Sequence, residues 1–140
     1  MTRTASCQCG QLRLTVEGEP AFISLCSCMR CQKRSGSLFF LSSRWKSNQV
    51  KGRTGNSLTF NRKGASGGNV QCVLCPICGS TVSTSLERLP DLIVIPVRRF
   101  SDPTFSAPTV AVWCESELEW VRFPNGILLL RGESQPMETQ

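Results

Sequence analysis

The sequence predicts a mainly β fold built from small antiparallel sheets. Short stretches alternate apolar and polar residues with the two-residue period of a strand, and no stretch sustains the 3.6-residue period of a long helix. Glycines and prolines separate these stretches, and prolines at positions 96, 103, 108 and 124 are among those that punctuate the second half. Because sheets of such short strands are marginal on their own, we expect additional links between them.

The clearest strand covers residues 11–18. Leu12, Leu14 and Val16 fall on one face, and polar side chains fall on the other. Residues 30–36 lack strand character and predict a turn of helix that ends at Gly36. The remaining predicted strands are residues 21–25, 37–45, 58–60, 70–74, 81–86, 92–97, 110–114 and 119–123.

Length and charge limit the domain organisation and the partners. A chain of 140 residues fits one domain, which we assign to residues 1–132, followed by a flexible polar tail at residues 133–140. No apolar run approaches the roughly 20 residues that a bilayer-spanning helix needs, so no membrane association is expected. The formal charge of +6 would fall to about +3 if seven thiolates held two zinc ions. Charge of this size gives no argument for a nucleic-acid partner.

The chain has nine cysteines and no histidine. It opens on a polar segment without the features of a secretory signal, so we expect a reducing compartment, the cytoplasm. Clustered cysteines in such a compartment bind metal more often than they form disulfides. The absence of histidine excludes imidazole as a general acid or base and excludes a Cys-His nucleophile pair.

Two cysteine pairs predict a structural zinc site. In Cys75-Pro76-Ile77-Cys78-Gly79, two intervening residues allow both sulfurs to reach one ion, and the glycine allows the chain to turn away. Cys7 and Cys9, followed by Gly10, form a similar half-site. Because structural zinc takes four ligands, the simplest closed site combines Cys7, Cys9, Cys75 and Cys78.

Cys26, Cys28 and Cys31 supply three more thiolates on one short turn. With three protein ligands, a second zinc ion would keep an open position, as catalytic zinc does, and this position would accept a soft ligand such as a small-molecule thiol. The alternative is a second closed structural site, for which Cys72 is the obvious fourth ligand. The role of Cys114 is left open.

Three basic residues lie beside this second cluster: Arg30, Lys33 and Arg34. They could bind the carboxylates of a substrate. A solvated basic turn is the alternative interpretation.

The order of these motifs resembles the glutathione-dependent formaldehyde-activating enzyme family, also called the GFA or centromere-protein-V domain. The match runs from about Cys7 to Gly126 and also includes an Asp-Pro turn and two late tryptophans. Its elements are Cys7-Gln8-Cys9-Gly10, Cys26-Ser27-Cys28-Met29-Arg30-Cys31 with Ser35-Gly36, Cys75-Pro76-Ile77-Cys78-Gly79, Asp102-Pro103 with Pro108, and Trp113 with Trp120.

The resemblance implies a GFA-like β fold with a structural zinc on the first and third clusters. It also implies a second, labile zinc on the catalytic cysteines Cys26, Cys28 and Cys31. The implied activity is that of a carbon–sulfur lyase acting on or carrying adducts of glutathione-type thiols with small aldehydes. The alternative is a non-catalytic, zinc-stabilised binding module, which a closed second site would favour. A homo-oligomer is compatible with the sequence.

Overall fold

The computed structural model describes residues 1–64 and 67–133 and confirms a mainly β fold with small sheets. Within these ranges there is one α-helix, α1 (Met29–Ser35). The strands are β1 (Thr2–Ser6), β2 (Arg13–Glu17), β3 (Phe22–Cys26), β4 (Phe40–Lys46), β5 (Val50–Thr54), β6 (Leu58–Lys63), β7 (Asn69–Leu74), β8 (Thr81–Leu86), β9 (Leu89–Pro96), β10 (Val110–Val112) and β11 (Leu128–Leu129).

The chain divides into two compact units. The first comprises residues 1–21 and 43–104, and the second comprises residues 22–42 and those from 105 onward, so β4 contributes residues to both. The assignment of one domain to residues 1–132 stays a prediction, and residues 134–140 of the predicted tail lie outside the described residues. No helix in the described ranges is long and apolar enough to cross a membrane.

The first unit contains the antiparallel pairing that the sequence predicts. Strands β1, β2 and β5 form one sheet in that order, and β6, β7, β8 and β9 pair each with the next. Leu14 and Val16 of β2 are buried, whereas Arg13 and Glu17 are exposed. The alternation in the sequence therefore corresponds to one buried face.

A buried tryptophan organises the core of the first unit. Trp45 is fully buried, and its ring nitrogen donates a hydrogen bond of 2.8 Å to the hydroxyl of Ser43. That hydroxyl donates in turn to the backbone carbonyl of Ile95 at 3.0 Å. The ring of Phe100 packs against Trp45 with centroids 5.6 Å apart. The indole N–H is thus satisfied without water.

The second unit departs from the expectation of antiparallel sheets. Strand β10 pairs in parallel with both β3 and β11. Leu25, Ala111 and Cys114 form its buried core, with further apolar side chains packed around them. Parallel neighbours require a long connection, and a local sequence pattern cannot reveal such pairing.

One predicted strand is absent from the structure, and three observed strands were not predicted. Residues 119–123 form no strand: the backbone turns where Val121 donates to the carbonyl of Leu118, and Trp120 remains 68% exposed. Strands β1 and β5 were not predicted because they contain few apolar residues and are strands through their pairing with β2. Strand β11, also not predicted, has only two residues and pairs with β10.

Candidate metal centres

The first candidate centre lies within the first unit. The sulfur atoms of Cys7, Cys9, Cys75 and Cys78 all lie within 4.8 Å of one another. The sulfur of Cys9 is 3.5 Å from that of Cys7 and 3.7 Å from that of Cys75. A tetrahedron of sulfurs around zinc has edges of about 3.8 Å. The spacing of these sulfurs therefore fits a four-coordinate zinc ion.

Two similar turns present these sulfurs. After β1, the Gly10 amide donates to the Cys7 carbonyl at 3.0 Å, and after β7 the Gly79 amide donates to the Cys75 carbonyl at 2.9 Å. Both glycines have a positive φ, of 81° and 73° respectively, a conformation that glycine adopts without strain. Each turn therefore supplies two sulfurs to the same group of four.

Polar groups around the first centre point at the sulfurs. The side-chain amide of Gln11 donates to the sulfur of Cys75 at 2.9 Å, and the backbone amide of Leu12 donates to that of Cys7 at 3.3 Å. The hydroxyl of Ser80 lies 3.3 Å from the sulfur of Cys78. Donors of this kind stabilise thiolates and fix ligand orientation.

The pKa values of these thiols diverge as expected for crowded acidic groups. Hydrogen bonding to Ser80 and to the Cys9 backbone lowers the pKa of Cys78 to about 5. For Cys9, a hydrogen bond with the Gln11 backbone lowers the pKa of the thiol. The neighbouring sulfurs and burial outweigh this effect, and the pKa rises to about 11. Sulfurs this close cannot all ionise without a cation among them, so their chemistry also fits a metal ion.

The second candidate centre lies within the second unit. The sulfurs of Cys26, Cys28 and Cys31 lie within 4.8 Å of one another, and each residue is partly exposed. Cys26 ends β3, Cys28 is the N-cap of α1, and Cys31 lies in that helix. Because only two residues separate the end of β3 from the start of α1, a short segment gathers all three sulfurs.

Local hydrogen bonds hold this turn. The sulfur of Cys28 accepts from the backbone amide of Cys31 at 3.4 Å, which caps the helix. The side-chain amide of Gln32 donates at 2.7 Å to the carbonyl of Ser27 and, at the same distance, to that of Ser116. The Gln32 side chain thereby links α1 to the segment after β10.

In the second centre, the pKa values of two neighbouring thiols also shift in opposite directions. A hydrogen bond with the Cys26 side chain, together with Cys28 and the Arg34 guanidinium, lowers the pKa of Cys31 to about 5. Burial acts in the opposite direction but is the weaker effect. The same bond and burial raise the pKa of Cys26 well above its usual range. One thiol therefore keeps its proton beside a thiolate, and a divalent cation would allow both to ionise.

The three basic residues next to this centre occupy different positions. Arg30, Lys33 and Arg34 are all exposed on α1. Among them, Arg34 approaches the centre: its Nη2 lies 3.9 Å from the sulfur of Cys31, and its guanidinium carbon lies 4.3 Å from the centre of the Phe40 ring.

The two remaining cysteines belong to neither group. Cys72 is buried in β7, with its sulfur 3.9 Å from the Thr84 hydroxyl. Cys114 is buried against Leu25 and Ala111, and burial raises the pKa of its thiol. Among the described residues, the second group therefore contains three sulfurs and not four.

The sequence pattern brought out the cysteines but not the residues that support them. Gln11, Ser80, Gln32 and Phe40 contact the groups or their neighbours, yet each is a common residue type without distinctive spacing. Only the fold shows what their side chains reach.

Together, the fold and the two sulfur groups define a small β protein that could hold two metal ions. A family model described as glutathione-dependent formaldehyde-activating enzyme matches residues 2–116, and the chain belongs to this family. A comparison with curated proteins gave no match.

Proposed function

We propose that this protein is a zinc-dependent carbon–sulfur lyase that acts on adducts of a glutathione-type thiol with a small aldehyde. Membership of the family supports glutathione-related aldehyde handling, and both cysteine groups could hold a metal ion. In this proposal Cys7, Cys9, Cys75 and Cys78 hold a structural zinc. Cys26, Cys28 and Cys31 hold a second, labile zinc at which the thiol binds.

The number of sulfurs in the second group carries this proposal. Zinc prefers four ligands, and three cysteines would leave one position for an external ligand. Cys72, the residue that could close the site, is in neither group and lies against Thr84. This observation favours an enzyme over a binding module with two closed sites.

The chemistry needs little beyond an ionised thiol held near an aldehyde. A zinc ion at the second group would supply positive charge that favours the thiolate form of an incoming thiol. In the forward direction the sulfur attacks the carbonyl carbon, a carbon–sulfur bond forms, and the carbonyl oxygen takes the proton that the thiol gave up. The reverse direction is the lyase reaction, and neither direction requires an oxidant or a reductant.

The chain contributes by fixing the three sulfurs. The bonds from Gln32 to two backbone carbonyls and from the Cys31 amide to Cys28 restrain the turn. Restrained ligands keep an external thiol in one orientation, which is how proximity raises reaction rates. The nine free cysteines favour a reducing compartment such as the cytoplasm.

The proposal is tested with the zinc-loaded protein under anaerobic conditions. Glutathione binding is measured by calorimetry, with S-methylglutathione as a probe that lacks the thiol. Exchange between formaldehyde and S-hydroxymethylglutathione is followed by NMR. We expect the wild type to bind glutathione much more tightly than its methylated form and to accelerate the exchange.

Two variants make the test specific. Cys28→Ser should lose one zinc ion, the preference for glutathione and the acceleration. Cys72→Ala removes a buried cysteine outside both groups and should keep all three properties. Acceleration that persists in Cys28→Ser would contradict the proposed site.

A further inference from the structure

Arg34 is held in a defined position beside the second cysteine group. It follows Cys31 by three residues on α1, which places the two side chains on the same side of the helix. Its guanidinium carbon lies 4.3 Å from the centre of the Phe40 ring, and its Nη2 lies 3.9 Å from the Cys31 sulfur. Stacking on an aromatic face restricts a planar guanidinium more than it would restrict an ammonium group.

Among the described residues, no carboxylate pairs with Arg34. Helix α1 contains no acidic residue, and within the described part of the chain Arg34 forms no ion pair. The nearby negative charge that it can offset is therefore that of the cysteine group. At 3.9 Å, the separation is well inside the screening length of about 8 Å at physiological salt.

The second cysteine group would carry excess negative charge that a nearby cation can balance. Three thiolates exceed the charge of a divalent ion by one negative charge, and a bound thiolate ligand would add another. We propose that Arg34 is a positioning residue that balances this negative charge, so that the group can hold a metal ion and a thiolate ligand together. The inference rests on the proposed metal site and gives Arg34 a role other than binding a substrate carboxylate.

Lys33 provides a matched control. It is an exposed cation on the same helix, but it lies two residues from Cys31, and side chains at that spacing do not face each other. Lys33→Gln and Arg34→Gln remove the same formal charge from neighbouring positions. A difference between them therefore reports the location of the charge and not the total charge of the protein.

The test measures two affinities in protein loaded at the first centre. Zinc affinity of the second centre is obtained by competition with a chromophoric chelator, and glutathione affinity is obtained by calorimetry. We expect Arg34→Gln to weaken both by about tenfold, the lower end of the range for residues that support metal ligands. Lys33→Gln should keep its zinc affinity within about twofold of the wild type, because the Lys33 side chain does not face Cys31.

Two further variants distinguish electrostatics from packing. Arg34→Lys keeps the charge and should restore part of the lost affinity, and Phe40→Leu removes the ring and should shift the affinities towards those of Arg34→Gln. The effect of Arg34→Gln should shrink in 1 M salt, since the guanidinium is exposed to solvent. Helix α1 buries no residue, so these helix variants should fold.

The outcomes separate this inference from the proposed function. If the wild type binds two zinc ions and glutathione but Arg34→Gln behaves like Lys33→Gln, the role of Arg34 is overturned and the function stands. Failure of Arg34→Lys to restore any affinity would overturn it as well. If the wild type binds only one zinc ion, both the proposed function and the role of Arg34 fall.

Discussion

Replacing one cysteine in each group should have very different consequences for stability. Cys75→Ser removes a fully buried cysteine whose sulfur accepts hydrogen bonds from Gln11 and Ile77. Cys28→Ser removes a partly exposed cysteine at the start of a helix that buries no residue. We expect Cys75→Ser to unfold the protein or make it insoluble, and Cys28→Ser to stay folded with about one zinc ion fewer.

The loss of stability expected for Cys75→Ser can be estimated from the structure. Cys9 and Cys75, whose sulfurs lie 3.7 Å apart, are separated by 66 residues in sequence. Opening a closed loop of this length lowers the free energy of unfolding by about 4 kcal/mol, because the unfolded chain gains entropy. Structural zinc sites in small peptides contribute roughly 10–16 kcal/mol in apparent binding energy, and a domain is stable by only about 5–15 kcal/mol. Loss of the first centre is therefore comparable to the whole stability.

The loss of stability in Cys28→Ser should be small, because serine can replace cysteine as the cap of α1. Cys28 caps α1 by accepting from the Cys31 amide. Serine is among the preferred N-cap residues, so Cys28→Ser keeps this hydrogen bond. We expect its free energy of unfolding to stay within about 1 kcal/mol of the wild type.

The assay combines metal analysis of the purified proteins with thermal unfolding followed by circular dichroism. The expected pattern is a cooperative transition for the wild type and Cys28→Ser and none for Cys75→Ser. Wild-type zinc content and melting temperature in Cys75→Ser would refute the first centre. Unfolding of Cys28→Ser as severe as that of Cys75→Ser would show that the second centre is structural too.

Three further outcomes are expected. Cys72→Ala should leave the zinc count and glutathione affinity unchanged, and loss of one zinc ion, measured by metal analysis, would make Cys72 a ligand. Gln11→Ala should lower stability by about 1–3 kcal/mol in denaturant titrations, because it removes donors to the Cys75 sulfur and the Asn56 carbonyl; an unchanged unfolding midpoint would contradict this role. Burial raises the pKa of Glu117, so its charged form disfavours folding at neutral pH. Glu117→Gln should therefore melt higher than the wild type at pH 7, and the gain should disappear below the ordinary carboxyl pKa of about 4.3; a gain that is the same at pH 4 and pH 7 would exclude titration as its cause.

The sequence predicted those parts of the fold that local pattern controls. Strand β8 has the bounds expected from its composition, and α1 ends before Gly36, whose φ of 66° suits the predicted helix end. Residues 119–123 also have a strand-like composition but are not a strand, because composition alone does not provide a pairing partner. The parallel position of β10 depends on chain segments that are distant in sequence, and no local signal reports it.

The cysteine groups show the same division between local and non-local information. Spacing predicted which cysteines share a turn, and the preference of zinc for four ligands predicted that the two half-sites combine. The sequence left the role of Cys72 open. Alternation along a strand indicates which residues share a face, but it does not indicate what that face contacts. The fold places Thr84 opposite Cys72 in the register of β7 and β8, and the two side chains are buried together.

The two groups differ most in how they are anchored, and this difference underlies their proposed roles. The first group joins two turns that are distant in sequence, and hydrogen bonds with Gln11, Leu12 and Ser80 surround its sulfurs. Loss of its metal would release a long loop, so slow exchange is expected there. The second group lies on one continuous turn, and loss of its metal would release no loop of comparable length. In the proposed function, a metal ion at the second group would therefore bind, change ligands and leave without unfolding the chain, which a site that exchanges thiols requires.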